Sequence, residues 1–257
     1  MSEHVLVERS GERLAITLAR PERRNAITVA MYAALADAIE SAAGDPAVRV
    51  ITIRGDGRDF AAGNDLADFM TALPPEMDEE IPVWRLLRAL VECDTPLVAA
   101  VHGNCVGIGT TMLLHCDLVV AEEGTRFSLP FVELGLVPEA ASSLLLPELA
   151  GRRRAARYLL LGEVFGTDEA LAIGLASHRA SAGQLEQRLE EVVAALLAQP
   201  TEALRQTQQL LRMGQREEVT ARMRLESGLF ADRLQSDEVK QAIAAFFEKR
   251  RPVTPAL

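Results

Sequence analysis

Three short apolar runs, residues 48–53, 97–101 and 118–121, constrain this chain more than any other feature. They are built of Val, Ile, Leu and Ala with little else. Val and Ile favour a pleated backbone, and nothing breaks the first run. The segments between them read as helices. Thr28 is placed to cap a helix over 29–43, rich in Ala and Leu, and Gly44-Asp45-Pro46 stops it. Residues 83–91 put Trp84, Leu87, Leu90 and Val91 on one helical face. A Gly-containing bend after the second run leads into a helix over 110–114. Strands alternating with helices predict βα crossover units and an α/β core.

The flanks add two features. Residues 5–7 and 14–18 alternate apolar with polar around Ser10-Gly11-Glu12, which predicts an N-terminal hairpin. Pro21 ends its second strand. From about Ala150 the pattern turns helical, over 153–161, 167–173, 184–198, 202–212 and 217–249, with a strand candidate only near His178. The expected organisation is an α/β core over 1–195 and a helical region over 196–257, packed on that core or exchanged from it. Residues 74–80, Pro-Pro-Glu-Met-Asp-Glu-Glu, have the composition of a mobile loop.

Charge and cysteine content exclude several classes. The 257 residues carry 27 Lys and Arg against 37 Asp and Glu, a net charge of −10. Nucleic acids and anionic membranes are engaged through basic surfaces, so neither is an expected partner. A small anionic ligand held by local cations stays open. The longest apolar run without Gly or Pro, 29–36, has eight residues. A membrane-spanning helix needs about twenty. Cys93, Cys105 and Cys116 form no CxxC pair, so neither a disulfide framework nor a zinc site is expected, and no metal is. With no secretory signal at Met1–Val5 and no S-K-L ending, a reducing cytoplasm fits.

Chemistry concentrates in three segments. The first is Arg20-Pro21-Glu22-Arg23-Arg24-Asn25-Ala26-Ile27. The second is Phe60-Ala61-Ala62-Gly63-Asn64-Asp65-Leu66. The third runs from Val98 through His102-Gly103-Asn104-Cys105-Val106-Gly107-Ile108-Gly109 to Cys116-Asp117-Leu118. The second and third are small-residue turns at strand ends, where a ligand can approach the backbone and meet unpaired N–H groups. Two such groups aimed at one oxygen make an oxyanion hole. Taken singly, such turns are mostly packing features. Gly107-Ile108-Gly109 lacks a phosphate-loop Lys and does not complete GxGxxG.

In this order and spacing, the segments resemble the crotonase superfamily, the enoyl-CoA hydratase/isomerase fold. Phe127-Ser128-Leu129-Pro130 and Leu134-Gly135-Leu136-Val137-Pro138 follow the same pattern, and the likeness runs from about Val5 to Lys249. The resemblance implies a crotonase-like α/β spiral of ββα units with a C-terminal helical trimerisation region. It implies a homotrimer or dimer of trimers acting on an acyl-CoA thioester. Coenzyme A enters as part of the substrate, with no other cofactor. Matched by position, the oxyanion-hole amides are those of Ala62 and Ile108. Arg23 and Arg24 are implied at the nucleotide end. Ala26, Ala62, Gly63, Asn64, Asp65, Leu66 and Phe131 are implied along the CoA and substrate path. Phe246 and Lys249, in the Ala-Phe-Phe-Glu-Lys-Arg ending, are implied to reach the CoA.

The chain departs from the family's hydratases at both of their glutamates. Those positions hold Thr111 and Phe131, neither a general acid or base at neutral pH. A carboxylate stands nearby in Pro138-Glu139-Ala140-Ala141-Ser142-Ser143, which resembles the P-E-G-x-S-S/T stretch of Δ3,Δ2-enoyl-CoA isomerases, where the glutamate is the base. Glu139 is therefore the candidate catalytic residue, in an expected apolar surround of Phe131, Leu134, Leu136 and Leu144. Ala140 and Ala141 replace frequent glycines. A Glu after Pro at a helix start is also favoured by the helix dipole alone. The expected activity is isomerisation of 3-enoyl-CoA to 2-enoyl-CoA through an enolate. The alternatives are another crotonase reaction, such as hydration, thioester hydrolysis or decarboxylation, and a non-catalytic acyl-CoA binder. Asp65 is expected to fix its loop or cap a helix, Glu133 to face solvent, and Asp117 to be structural. His102 and His115 are expected as core or surface histidines.

Overall fold

A computed structural model describes residues 2–68 and 80–249, with side chains as far as Ala245. Val5–Ser10 (β1) and Arg13–Leu18 (β2) pair antiparallel across the turn at Gly11, whose φ of +59° suits glycine. Val29–Ala43 (α1) begins at Thr28, whose hydroxyl oxygen accepts the Met31 N–H at 3.2 Å. Val50–Gly55 (β3), Leu97–Val101 (β4), Leu118–Glu122 (β6) and His178–Ala180 (β9) continue the sheet in parallel, in the order β1-β2-β3-β4-β6-β9. Pro82–Glu92 (α2) carries the crossover into β4. A second sheet joins Asn104–Val106 (β5), Arg126–Ser128 (β7) and Phe165–Gly166 (β8).

Both faces of the central strands β3, β4 and β6 are covered, which is why these read as largely apolar runs. Ile51, Ile53, Leu97, Ala99 and Val101 pack into the core that contains α1 and α2. Val50, Val98, Ala100 and Val120 point the other way, onto Leu189, Val192 and Val193 of Leu185–Leu197 (α7). Ile108–Thr111 (α3) is a single turn that continues as a 3-10 turn to His115. Ser142–Ala150 (α4), Arg152–Leu161 (α5) and Thr167–Ala172 (α6) precede α7. Thr201–Met213 (α8), Arg216–Leu234 (α9) and Asp237–Lys249 (α10) follow it. α9 packs on α2 and α4 of its own chain. Among the described residues, no helix is long and apolar enough to cross a membrane.

Several boundaries differ from expectation. β3 starts at Val50, because Val48 still closes a turn with its N–H on the Asp45 carbonyl at 2.9 Å. The three short strands β5, β7 and β8 carry no alternation long enough to read. The expected helix over 217–249 is two helices. Gln235 and Ser236 divide it, and the Ser236 hydroxyl oxygen accepts the Val239 N–H at 3.3 Å as a fresh cap. Residues 74–79 of the loop expected at 74–80 lie outside the described residues.

Gly103 turns the chain from β4 into β5 at φ +59°, and a Cβ there would stand 2.0 Å from the Arg58 carbonyl oxygen. Both the torsion and the clash oppose any side chain. Gly103→Ala is therefore expected to destabilise the fold by at least about 3 kcal/mol, at the upper end for single substitutions. A urea denaturation midpoint equal to that of the parent would contradict this.

Candidate active site

Glu139 sits on a tight turn between the segment ending at Pro138 and the start of α4. Ala140 and Ala141 both adopt left-handed torsions, φ 58° and 55°, which residues with a Cβ seldom occupy. Such a turn persists only when its surroundings hold it. Ser142 donates both its N–H and its hydroxyl to the Glu139 carbonyl, at 3.0 and 2.6 Å. The Nε2 of His115 lies 2.8 Å from the Ala140 carbonyl. Burial lowers the His115 pKa to about 4, so the ring is neutral and Nε2–H is the donor. His115 is the expected core histidine, and it also props this turn.

The Glu139 side chain is 7% exposed and faces an apolar cavity. Its walls are Val83, Trp84 and Leu87 of α2 with Met223 and Phe230 of α9. The expected surround of Phe131, Leu134, Leu136 and Leu144 is thus replaced, at the cavity, by residues far away in sequence. Burial raises the Glu139 pKa to about 7, the negative charge of Glu226 adds to the rise, and the Thr111 hydroxyl opposes it. Thr111 is fully buried and donates to Glu139 Oε1 at 3.4 Å, so the first vacated glutamate position touches the remaining one. Phe131 is 5% exposed in the core and does not line the cavity.

Tyr32 of α1 enters the same site. It is completely buried, and its hydroxyl donates to Asn64 Oδ1 at 2.5 Å. Burial, then the charge of Glu139, pushes its pKa well above the ordinary value, so the phenol keeps its proton.

The backbone amides come from two strand-like segments in contact. Ala61 bridges Cys105, with the Ala61 N–H on the Asn104 carbonyl and the Val106 N–H on the Ala61 carbonyl. On the opposite edge, Asn64 bridges Ile27: the Ile27 N–H meets the Gly63 carbonyl and the Asp65 N–H meets the Ile27 carbonyl, at 2.8 and 2.9 Å. Strand alternation then turns the Asn64 N–H away from Ile27, toward the edge where β5 and Ile108 lie. Among the described residues, neither the Asn64 N–H nor the Ile108 N–H meets an acceptor. The Ala62 N–H does: it donates to the Arg24 carbonyl at 2.9 Å. Ala62 is therefore not open to a ligand, and Asn64 is the open amide of that loop. The segments approach closely because Gly63 and Gly109 face them. A Cβ on Gly63 would lie 3.1 Å from the Val106 carbonyl, and one on Gly109 2.9 Å from the Ala61 Cβ.

The first segment proves to be a clamp. Asn25 is buried, donates to the Asp56 and Asp59 carbonyls at 2.9 and 2.8 Å, and accepts the Arg20 N–H at 2.8 Å. Arg20 also pairs with Asp65 at 2.7 Å and bonds the Ala26 carbonyl. Asp65 Oδ1 accepts the Asp68 N–H at 3.3 Å, the expected loop-fixing cap. Arg23 and Arg24 are exposed; Arg24 Nε lies 3.8 Å from Asp59. Ala26 and Leu66 are half-buried. Phe246 and Lys249 belong to α10, with side chains outside the described residues. Glu133 is exposed, and Asp117 is structural, accepting from Leu97, Gln208 and Arg212.

The sequence reading did not place Glu226, Tyr32, Trp84, Met223 or Phe230 at the site. One signal for Glu226 was present. Val219, Met223, Glu226 and Phe230 are the buried residues of α9, spaced by four, three and four, so an acid interrupts an apolar stripe.

The chain can be set beside known proteins on this geometry. Residues 9–254 match the family model described as enoyl-CoA hydratase/isomerase. The 2,3-dehydroadipyl-CoA hydratase of Escherichia coli (strain K12) is 33% identical over 254 residues, covering 98% of each protein. Enoyl-CoA delta isomerase 2 of Rattus norvegicus is 31% identical over 97% of this chain and 64% of its own length. The crystal structure of an enoyl-CoA hydratase/isomerase from Pseudoalteromonas atlantica T6c superposes with a TM-score of 0.90 at 39% identity, covering 98% of this chain and all of that one. The match spans both sheets and the C-terminal helices, and the chain belongs to the enoyl-CoA hydratase/isomerase family, with the crotonase-like α/β fold.

Proposed function

We propose that this family member isomerises 3-enoyl-CoA to 2-enoyl-CoA. The observation that carries the reading is Glu139: a carboxyl at the wall of an apolar cavity, its pKa raised to about 7 by burial, with Thr111 and Phe131 where hydratase glutamates would stand. In this mechanism Glu139 removes a C2 proton. The electron pair moves through the thioester carbonyl, and its oxygen takes up negative charge between the Asn64 and Ile108 amides. The same carboxyl returns the proton to C4, leaving the double bond conjugated. One group serves as base and then as acid, for which a pKa near the working pH is best suited. Relatives carry both hydratase and isomerase names, so the choice rests on the residues.

The second buried carboxylate, Glu226, does not restore a hydratase pair. Its Oε1 is taken by the Ser143 N–H, and it does not line the cavity with Glu139. The reaction as written needs no metal or redox group. Arg23, Arg24 and Lys249 are the cations proposed for the phosphates of CoA. Assembly as a trimer or dimer of trimers through 196–257 is supported by exposed Leu210, Leu211 and Met213 on α8 and Leu225 and Leu229 on α9.

The test is a panel of 3-enoyl-, 2-enoyl- and 3-hydroxyacyl-CoA thioesters, followed at the absorbance of the conjugated enoyl thioester. The expected result is conversion of the 3-enoyl substrate, with kcat/KM rising as pH rises through about 7 and the base ionises. Hydration of 2-enoyl-CoA without isomerisation would overturn the reading.

A further inference from the structure

The turn that presents Glu139 is held from behind by a residue the reaction does not need. Glu226, on α9, is 4% exposed. Its Oε1 accepts the Ser143 N–H at 2.9 Å, the Ala141 N–H also faces the carboxylate, and Arg222 one helical turn earlier donates to the Ser143 hydroxyl at 3.1 Å. Glu226 Oε2 is buried and makes no hydrogen bond among the described residues. A carboxylate left half-satisfied inside a fold is costly. Here it meets the amides of Ala141, the second of two left-handed alanines, and of Ser143, at the start of α4, and it lies close enough to Glu139 for its charge to be felt there.

We propose that Glu226 is a positioning residue for Glu139: it holds the Ala140–Ala141 turn in the shape that presents the base, and it sets a second negative charge behind it. The inference rests on Glu139 being the base. The elements around the pair supply few other charges. α9 gives Glu226 and Arg222, α1 gives the protonated Tyr32, and the 3-10 turn after α3 gives the neutral His115. α2 offers Val83, Trp84 and Leu87, and α3 offers the Thr111 hydroxyl. Burial raises the Glu226 pKa, while the Ser143 and Ala141 amides and Arg222 oppose that rise and favour its charged form; a charge on Glu226 in turn disfavours one on Glu139. Glu139 then holds its proton to higher pH than burial alone would require.

Glu226→Gln keeps an oxygen for the Ser143 N–H and removes the charge. Its acid limb of kcat/KM is expected at lower pH. At about pH 5.5 its activity, relative to its own plateau, should exceed that of the parent by about threefold. KM should hold while plateau kcat falls, since Glu139 becomes a weaker base. A purely structural role would lower activity evenly across pH, and a superposable pH profile overturns the proposal. Should this variant fail to fold, 13C-carboxyl NMR of the parent decides. The proposal requires Glu226 to carry its charge while Glu139 still holds its proton, so the Glu226 carboxyl must titrate at lower pH than that of Glu139. A Glu226 that stays protonated until Glu139 has ionised also overturns it. Persistent turnover by Glu139→Gln would instead sink the base assignment, which the NMR titration does not depend on.

Discussion

Glu139→Gln is expected to lose 3-enoyl-CoA isomerisation by about three orders of magnitude or more and, above pH 7, to be more stable than the parent. The first effect follows from removing the group proposed both to take and to return the proton; acid–base catalysis alone supplies 10²–10⁴-fold. CoA-thioester binding should persist, because the amides and the cavity remain. The second effect follows from the same burial. The Glu139 pKa rises from 4.5 to about 7 in the fold. A raised acid pKa means the folded protein prefers the protonated form. Its contribution to stability is fully present below about pH 4.5 and is lost as pH rises through about 7. Above that, the ionised side chain costs roughly 3 kcal/mol. Gln cannot ionise, so it escapes the cost. Urea denaturation at about pH 5 and pH 8.5 should give similar midpoints at the lower pH and a higher one for the variant at the upper. Equal midpoints at both would remove the case for a buried, proton-holding Glu139.

Gly63→Ala is expected to cost about a hundredfold in kcat, the scale seen when one oxyanion donor is lost. Gly63 has φ +90°, and an added Cβ would press on the Val106 carbonyl at 3.1 Å. Either strain is relieved only by moving the loop away from β5, and the Asn64 amide, one residue on, moves with it. Ile108 belongs to the opposite wall and stays. The stability loss should be modest, about 1–2 kcal/mol for an alanine at positive φ. The decisive reading is the split: a large fall in kcat with folding intact. Unaltered kcat would mean that the Asn64 amide is not among the groups that carry the developing charge.

The two variants also mark which parts of this protein were legible in advance. Thr28 and the 29–43 helix, the hairpin at Gly11 and the strands β4 and β6 were readable because their signals are local: caps, stop residues and apolar runs of useful length. The motif order sufficed for the family, and Glu139 stood out against the vacated positions at Thr111 and Phe131. Ala62 misled, because a small residue in a turn looks like an open amide whether or not its N–H is taken. That depended on Arg24, whose carbonyl reaches Ala62 only once Asn25 has pinned the turn to Asp56 and Asp59.

The sequence by itself determined the α/β alternation and the principal helices, and it singled out the carboxyl proposed to carry the chemistry, since each is encoded by neighbours within a few residues. Tertiary structure alone decided which amide is open, which side chains enclose Glu139 and which charge stands behind it. Met223, Glu226 and Phe230 lie more than eighty residues beyond Glu139 and meet it only because α9 packs over α2 and α4. Helix caps and periodicity act over single turns, whereas burial and unlike or like charge act across whatever the packing brings together. That is also why the opening pattern of three apolar runs gave the sheet and left the walls of the site to be found.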